Sequence, residues 1–574
     1  FENYPVPQGM DETLEEWNFR PVQTEEEPFN ELSIAIGQHS NGTFEIKIAY
    51  DPSLYPQEEI GTVENTFTSI LQSMAAQSDA RIKDIRIVNE EEQTELIKLG
   101  MGERMEYAPP ETLVSLFRAQ AAKTPNNIAV VFKDRQLTYR DLDDLTDHLA
   151  AYLINKYHVQ PEEAVGVMIE RSELMAVYPL AIMKAGGAYM PLDFTFPEER
   201  LQYMCQDANI RLILSEEDRV KQAMTGFKGE VFMAEDLQSL PANTDRLPKP
   251  LPSQRFVILY TSGSTGKPKG VILEHHNIVI FCHWYIREAA ITQEDRLLAF
   301  SNFGFDTHMM DIYPALFTGA SVHILSSDIR MNMEAMNSYM EQNRITIAFL
   351  TTQVGHLFAT SFNNTSLRLL TVAGEKLQPL KKPNYSVINA YGPTECFVST
   401  FYNITHDYDS ALIGVPIDNY QLFIIDESIR LLPRGMAGEL VIGGEGVARG
   451  YLHPLENDTN KFFMFMGQRC YRTGDLCRWN EQGELEYLGR IDTQVKLRGY
   501  RIELGEIESQ ALKYDGIKQA VATVHDEQLL CLYYAADCDI DEGTLKEFLA
   551  QSLPDYMVPA AYIHLDELPL TPNG

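Results

Sequence analysis

Leu259-Tyr260-Thr261-Ser262-Gly263-Ser264-Thr265-Gly266-Lys267-Pro268-Lys269-Gly270 is the stretch on which the reading of this chain turns. It follows the apolar run Phe256 to Leu259 and reads as a strand feeding a loop rich in glycine and hydroxyl side chains. Glycines let backbone N–H groups turn inward towards phosphate oxygens, Thr and Ser hydroxyls donate further bonds, and lysines supply charge, so the loop can cradle a polyphosphate. Taken alone it is also compatible with a surface turn. No G-x4-G-K-S/T register fits it, and Gly443-Gly444-Glu445-Gly446 fails the G-x-G-x-x-G spacing because Arg449 stands at the third glycine position. P-loop and dinucleotide-fold readings are both weakened.

Around this loop the chain is 574 residues long, enough for three to five structural units at about 100–200 residues each. Its 44% hydrophobic, 10% aromatic and 22% charged residues are those of a folded globular protein. A formal net charge of −35 repels phosphate backbones and anionic bilayers, so neither nucleic acid nor a membrane surface is an expected partner. The longest apolar stretch, Val177 to Leu192, is broken by Lys184, Gly186 and Gly187 and is too short to span a bilayer. Seven cysteines without a CxxC pair suit reduced cytoplasmic thiols better than disulfides or zinc. The opening Phe1-Glu2-Asn3-Tyr4-Pro5 has neither an initiator Met nor a signal-peptide pattern, which suggests a piece of something longer.

Charge is unevenly spread, with 6 basic and 20 acidic residues among positions 1–100. Within that segment Ser33 to Tyr50 alternates as strands about an Asn41-Gly42 turn, and Ile60 to Ala75 has helical spacing. Glu25-Glu26-Glu27 and Glu90-Glu91-Glu92 read as solvated or linker residues, and a linker is expected near 88–110, ending at Pro109-Pro110. From Glu111 strands alternate with helices: Ile128 to Phe132, Tyr139 to Tyr157, Ala164 to Ile169, Glu173 to Lys184. That order favours an α/β fold with largely parallel sheets. After about residue 489 the pattern becomes a small α+β unit.

The phosphate loop resembles the signature of the adenylate-forming superfamily, and further signatures follow in order over about residues 105–574. Leu137-Thr138-Tyr139-Arg140 and Met183 to Asp193 resemble its early motifs. Asn389-Ala390-Tyr391-Gly392-Pro393-Thr394-Glu395, Gly438-Glu439-Leu440, Tyr471-Arg472-Thr473-Gly474-Asp475, and Gly489-Arg490-Ile491-Asp492 through Arg498-Gly499-Tyr500-Arg501-Ile502-Glu503 resemble its later ones. The resemblance is strongest to adenylation domains of nonribosomal peptide synthetases, and the first hundred residues resemble the tail of a condensation domain. The implied architecture is a condensation-domain fragment and linker at 1–95, a large adenylation core with several sheets at 96–489, and a small α+β C-terminal subdomain at 490–574. The implied activity is amino-acid activation by ATP as an aminoacyl-AMP, followed by transfer to a phosphopantetheine thiol of a downstream carrier domain, with an upstream condensation domain as the other partner.

Residue by residue, the resemblance places the ATP phosphates against Thr261, Ser262, Gly263, Ser264, Thr265, Gly266 and Lys269, with Thr394 at the α-phosphate and Glu395 as a ligand of Mg2+. Asn389, Ala390, Tyr391 and Gly392 fall at the adenine, Tyr391 stacking on it. Asp475 would accept both ribose hydroxyls, and Arg490 would lie near ribose and phosphate. Asp306 falls where amino-acid-activating members pair with the substrate ammonium, a carboxylate that an acyl-acid ligase does not need. The carried-over side-chain lining is Thr307, Met310, Phe349, Thr371, Ala373, Gly374, Ala390, Val398 and Ser399, none of them charged. It favours a neutral bulky or aromatic amino acid, with Thr371 or Ser399 free to bond a hydroxyl. Asp492 resembles the hinge of the small subdomain, and Lys496 the basic residue used in the thiolation pose. His275 and His276 read as structural and His308 as pocket wall. The chain ends at Leu568 to Gly574, where the family pattern continues with a catalytic lysine, so this stretch alone is expected to bind ATP and amino acid but to form adenylate poorly. It carries neither an HHxxxDG nor a GGxS motif, which leaves the condensation-like segment inert and the carrier supplied from elsewhere.

Overall fold

The computed structural model describes residues 31–38, 44–76, 79, 81–107, 111–216, 219–240, 247–263, 266–454, 458, 460–525, 529–536 and 538–569. Expectations for Phe1 to Pro5, Glu25 to Glu27, Asn41-Gly42, Pro109-Pro110, Ser264, Thr265 and the last five residues fall outside them. The chain divides into two compact units, Phe1–Ile87 and Val88–Gly574.

In the first unit the alternating segment forms the antiparallel strands Leu32–Gln38 and Phe44–Tyr50, with Ile34 opposite Ile48 and Ile36 opposite Ile46. The helical spacing that follows becomes the helix Gln57–Ala76.

The second unit opens with a departure from the expected linker, because Glu90-Glu91-Glu92 begins the helix Glu90–Leu99. The Asn89 side chain accepts from the Glu92 N–H, and three carboxylates in the first turn complement the helix dipole. The glutamates read as linker residues are thus a helix start. Later elements follow the sequence pattern closely, as in the strand Ile128–Phe132 and the helix Tyr139–Tyr157, which opens on a Thr138/Asp141 capping box. The apolar stretch from Val177 is divided between the wholly buried helix Leu174–Lys184 and the strand Ala188–Pro191. Among the described residues no helix is long and apolar enough to cross a membrane.

A seven-stranded sheet carries Arg255–Thr261 between the antiparallel Lys269–Glu274 and the parallel Ala188–Pro191, so the phosphate loop is the connection of a hairpin. In a larger sheet of 14 strands, Arg296–Ala299, Ile347–Thr351, Leu369–Ala373 and Ser386–Tyr391 run parallel as successive neighbours. Ligands of open α/β sheets gather at the carboxyl ends of such strands. The segments leaving these four ends, Phe300 to Thr307, Thr351, Gly374 and Gly392 to Thr394, line one cavity.

The last strand of the large sheet is Leu485–Arg490, and beyond it lie two small sheets, the hairpin Gln494–Leu497 with Tyr500–Glu503 and a three-stranded sheet. The hairpin turn Arg498-Gly499 has φ of 54° and 81°. Positive φ at both central residues is the two-residue turn that matches strand twist.

Lys184 ties two helices of the core together. Its ammonium has no solvent exposure and lies 2.5 Å from Asp143 Oδ1 and 2.6 Å from Asp147 Oδ1, both on the helix Tyr139–Tyr157. Lys184→Met strands the Asp143 carboxylate and leaves Asp147 only its Arg118 partner at 2.8 Å, and is expected to cost about 3 kcal/mol, read as a lowered denaturation midpoint. The triple change with Asp143→Asn and Asp147→Asn is expected to recover part of that loss.

Candidate functional site

One cavity of about 590 Å³ joins most of the residues singled out in the sequence. Thr261, Ser262, Asp306, Thr307, Met310, Ala373, Gly374, Gly392, Thr394, Val398, Asp475, Arg490 and Lys496 all line it. Asn389, Ala390 and Tyr391 line a small adjoining recess that shares Gly374, Gly392 and Lys496 with it.

Asp306 leaves the strand Arg296–Ala299 and precedes the helix His308–Leu316. Burial pushes its carboxyl above the ordinary range, an effect that bonds from the Thr394 hydroxyl and the Thr307 N–H oppose in part. Among the described residues none forms an ion pair with Asp306. Around it the cavity presents Met310, Val354, Phe397 and Val398.

Asp475 is the opposite case. It is 1% exposed, and its Oδ1 accepts from Arg490 Nη1 at 2.9 Å while the Tyr391 hydroxyl donates to Oδ2. Arg490 also donates to both oxygens of Asp492, at 2.8 and 2.7 Å. The two guanidinium bonds hold the Asp492 carboxyl below its ordinary range against the effect of burial. The turn before Asp475 is set by a residue to which the sequence gave no role. Glu439 accepts from Arg472 and, at 3.1 Å, from the Gly474 N–H, while Thr473 Oγ1 donates to the Leu440 carbonyl at 2.7 Å. Gly474 has φ of 73°, and a Cβ there would meet Asp492 at 2.8 Å and Arg490 at 2.9 Å. A side chain there would be strained by the positive φ and would push the Arg490 and Asp492 head groups aside.

Glu395 does not line the cavity. It is 1% exposed, with Oε2 paired to Arg501 Nη1 at 2.7 Å and Oε1 accepting from the Tyr451 hydroxyl at 2.7 Å. The Arg501 charge and the tyrosine bond hold its carboxyl below the usual range in spite of burial. Among the described residues no group of three or more His, Cys, Asp and Glu could hold a metal. Both Glu395 oxygens are engaged by protein groups, so this carboxylate could ligate a metal only if Arg501 gave up Oε2.

The phosphate loop is met by the C-terminal elements. Ser262 Oγ donates to the Arg501 carbonyl at 2.9 Å, the Gly263 N–H points to Glu506 Oε2 at 3.3 Å, and the Gly266 carbonyl accepts from Gln510. Lys269 Nζ lies 2.5 Å from Asp458 Oδ1. Gly263, Gly266 and Lys269 thus stand off the cavity wall, whereas Lys496 is on it, its ammonium 5.0 Å from the centre of the Tyr391 ring. Burial lowers the Lys496 pKa, which nearby Asp475 partly restores.

Four pocket expectations need correction. Phe349, Thr371 and Ser399 are buried in or beside the sheet rather than on the cavity wall. The hydroxyls of Thr371 and Ser399 are already used, the first at 2.8 Å with the Tyr285 hydroxyl and the second on the Tyr391 carbonyl at 3.2 Å. His308 is also not wall. It is 1% exposed and packs behind the loop that carries Asp306. Wall positions the sequence did not single out include Arg330, Met331, Met333 and Leu357. They come from a segment with no motif, and no spacing rule would have found them.

The chain matches the family described as AMP-binding enzyme over residues 117–452, and that described as AMP-binding enzyme C-terminal domain over 506–574. The chain belongs to the AMP-binding enzyme family. Bacitracin synthase 1 of Bacillus licheniformis is 36% identical over 92% of this chain, which spans 10% of that synthase. Holo-AB3403, a four-domain nonribosomal peptide synthetase bound to AMP and glycine, superposes with a TM-score of 0.72 at 28% identity, over 99% of this chain and 44% of that one. Holo-PA1221, which contains adenylation and PCP domains and was solved with a vinylsulfonamide inhibitor, gives 0.72 at 26% identity over 84% of each chain.

Arg501→Met should leave Glu395 buried and unpaired in this AMP-binding enzyme. The expected cost is about 3–5 kcal/mol in chemical denaturation, and Arg501→Met with Glu395→Leu is expected to regain most of it. Equal midpoints for the single and double variants would refute the pairing as the source of the loss.

Proposed function

We propose that this AMP-binding enzyme activates a neutral, bulky amino acid with ATP and passes it to the phosphopantetheine thiol of a carrier domain. The observation that carries the reading is Asp306, a half-buried carboxylate on the cavity wall whose pKa desolvation raises and which forms no ion pair with the described residues. Such a group is costly unless a cation joins it, and a substrate ammonium is that cation.

In the first half-reaction a carboxylate oxygen of the amino acid attacks the α-phosphorus of ATP, the bond to the β-phosphate oxygen breaks, and aminoacyl-AMP and pyrophosphate result. Asp306 holds the ammonium and Thr394 joins Asp306 to the α-phosphate. Thr261, Ser262, Gly263, Ser264, Thr265, Gly266 and Lys269 hold the remaining phosphates. Asp475 takes the ribose hydroxyls, with Arg490 fixing its orientation, and the recess of Asn389, Ala390, Tyr391 and Gly392 takes the adenine. When bound to Glu395, Mg2+ offsets the charge of the phosphates as they approach the substrate carboxylate. In the second half-reaction the thiolate attacks the acyl carbon and AMP leaves, with Lys496 a cation on the cavity wall and Asp492 the hinge between the two poses.

The likeness to proteins with adenylation and PCP domains supports the carrier partner, and the length of the synthases supports further domains around this one. On this reading residues 1–95 are the end of a condensation domain with its linker, 96–489 the adenylation core and 490–574 its C-terminal subdomain. Met310, Ala373, Ala390 and Val398 leave a neutral site with room for bulk. The thiolation pose agrees with the presence of Lys496 in the cavity and of Glu506 at the phosphate loop.

ATP–pyrophosphate exchange by the full-length protein, run with each proteinogenic amino acid, tests the reading. One or a few neutral bulky amino acids are expected to drive it, and Asp306→Ala is expected to reduce it about 100-fold. Exchange driven by fatty or aryl acids and indifferent to Asp306 would instead identify an acyl-acid ligase.

A pH dependence follows from the same carboxylate. Because burial raises the Asp306 pKa, its charge is lost on acidification earlier than for an ordinary aspartate. The KM for the amino acid should therefore climb as pH falls through that raised value, while the KM for ATP does not follow it, and Asp306→Asn should remove the inflection. An inflection that survives in the Asn variant would assign it to another group.

A further inference from the structure

The loop from Phe300 to Thr307 is held from behind at both ends by buried polar groups. At its start, Arg171 donates to the carbonyls of Ala299, Ser301 and Leu325, and Asp311 Oδ2 accepts from the Ser301 N–H at 2.7 Å. At its end, next to Asp306, stands His308. Its Nδ1 lies 2.5 Å from the Phe305 carbonyl oxygen and its Nε2 lies 2.7 Å from the Tyr189 hydroxyl.

A carbonyl oxygen accepts only, so Nδ1 carries the proton and Nε2 accepts from Tyr189. The Tyr189 hydroxyl in turn accepts from Tyr313 at 3.2 Å. Each group in the chain Tyr313, Tyr189, His308, Phe305 thus has one consistent role. The imidazole also packs against the rings of Phe303 and Tyr189, with centroids 4.9 and 5.8 Å apart. Burial lowers its pKa to about 4, which keeps it a neutral donor at the pH of catalysis. His308, Tyr189 and Tyr313 do not reach the cavity wall, whereas Phe305, Asp306 and Thr307 line it.

We propose that His308, locked by Tyr189, is a positioning residue for Asp306: it grips the Phe305 carbonyl and so aims the next carboxylate at the substrate ammonium. The proposal rests on the reading of Asp306 as the ammonium acceptor. A buried histidine that filled space alone would need neither a single tautomer nor a carbonyl one residue before the acceptor. Tyr189 comes from the strand Ala188–Pro191 of the seven-stranded sheet, and Asp306 follows a strand of the larger one. Their link through His308 registers the ammonium acceptor against the sheet that carries the phosphate loop.

The test is steady-state exchange by the full-length protein with the amino acid that drives it best, giving separate KM values for amino acid and ATP alongside thermal midpoints. His308→Ala is expected to raise the KM for the amino acid about tenfold and to leave that for ATP within about twofold. His308→Asn, whose amide N–H can still reach the Phe305 carbonyl, should recover most of the loss. Tyr189→Phe, which removes one oxygen, should raise the amino-acid KM about threefold, and it decides the matter if His308→Ala fails to fold. Equal changes in both KM values, an Asn variant as poor as the Ala variant, or wild-type values in Tyr189→Phe would each overturn the proposal. Asp306→Ala in the same series separates two failures. Indifference to that change overturns the reading of Asp306 and the proposal with it, whereas sensitivity to it beside wild-type behaviour of the His308 and Tyr189 variants overturns the proposal alone.

Discussion

Three carboxylates stand around one cavity of a chain whose net charge is −35, Glu395 and Asp475 almost fully buried and Asp306 half-buried on the wall. Each would be costly alone. Glu395 is balanced by Arg501 and Asp475 by Arg490, and in both pairs a tyrosine hydroxyl completes the coordination. Asp306 has a hydroxyl and a backbone N–H but no cation of its own among the described residues. Of these three carboxylates, Asp306 is the one left for a cationic ligand to pair. The same accounting explains why Glu439 and Gly474 matter without touching the cavity, since together they hold the turn that keeps Asp475 within reach of Arg490.

Much of this arrangement could be read from the sequence because it depends on short-range patterns. The strand and loop from Phe256 to Gly270, the capping box at Thr138 and the hairpin about Arg498-Gly499 are all local, and their residue types state the backbone they need. Asp306 was singled out through the family resemblance, as the acid of the run Phe303-Gly304-Phe305-Asp306. The pairing of Glu395 with Arg501 joins residues 106 positions apart, and that of His308 with Tyr189 joins residues 119 apart, so no periodicity could announce either. The same limit produced the errors. Thr371 and Ser399 looked available to a ligand because nothing local showed that Tyr285 and the Tyr391 carbonyl already hold their hydroxyls. Glu90 to Glu92 looked like a solvated run because acidic residues suit both a linker and the first turn of a helix, and the choice was made by Asn89.

The C-terminal hairpin makes the cavity what it is in this pose. Lys496, Arg498, Gly499, Tyr500 and Arg501 supply part of the wall, and the Gly499 N–H donates to Glu375 of the core. Ser262 and Gly263, whose hydroxyl and N–H suit phosphate, bond instead to the Arg501 carbonyl and the Glu506 carboxylate. Glu506 is itself paired with the buried Arg200 at 2.7 Å, which fixes its helix against the core. The groups that would serve a polyphosphate are thus partly occupied by protein.

That occupation has a necessary consequence for Glu395. Its partner Arg501 is carried by the strand Tyr500–Glu503, so any movement that withdraws the hairpin from the phosphate loop also withdraws the cation from a carboxylate that is 1% exposed. A buried carboxylate without a counterion is costly, and that cost is relieved by protonation, by water or by another cation. Arg501 supplies both the carbonyl that holds the Ser262 hydroxyl and the guanidinium that balances Glu395, so charge balance at Glu395 and donor availability in the loop are tied to one residue of the hairpin.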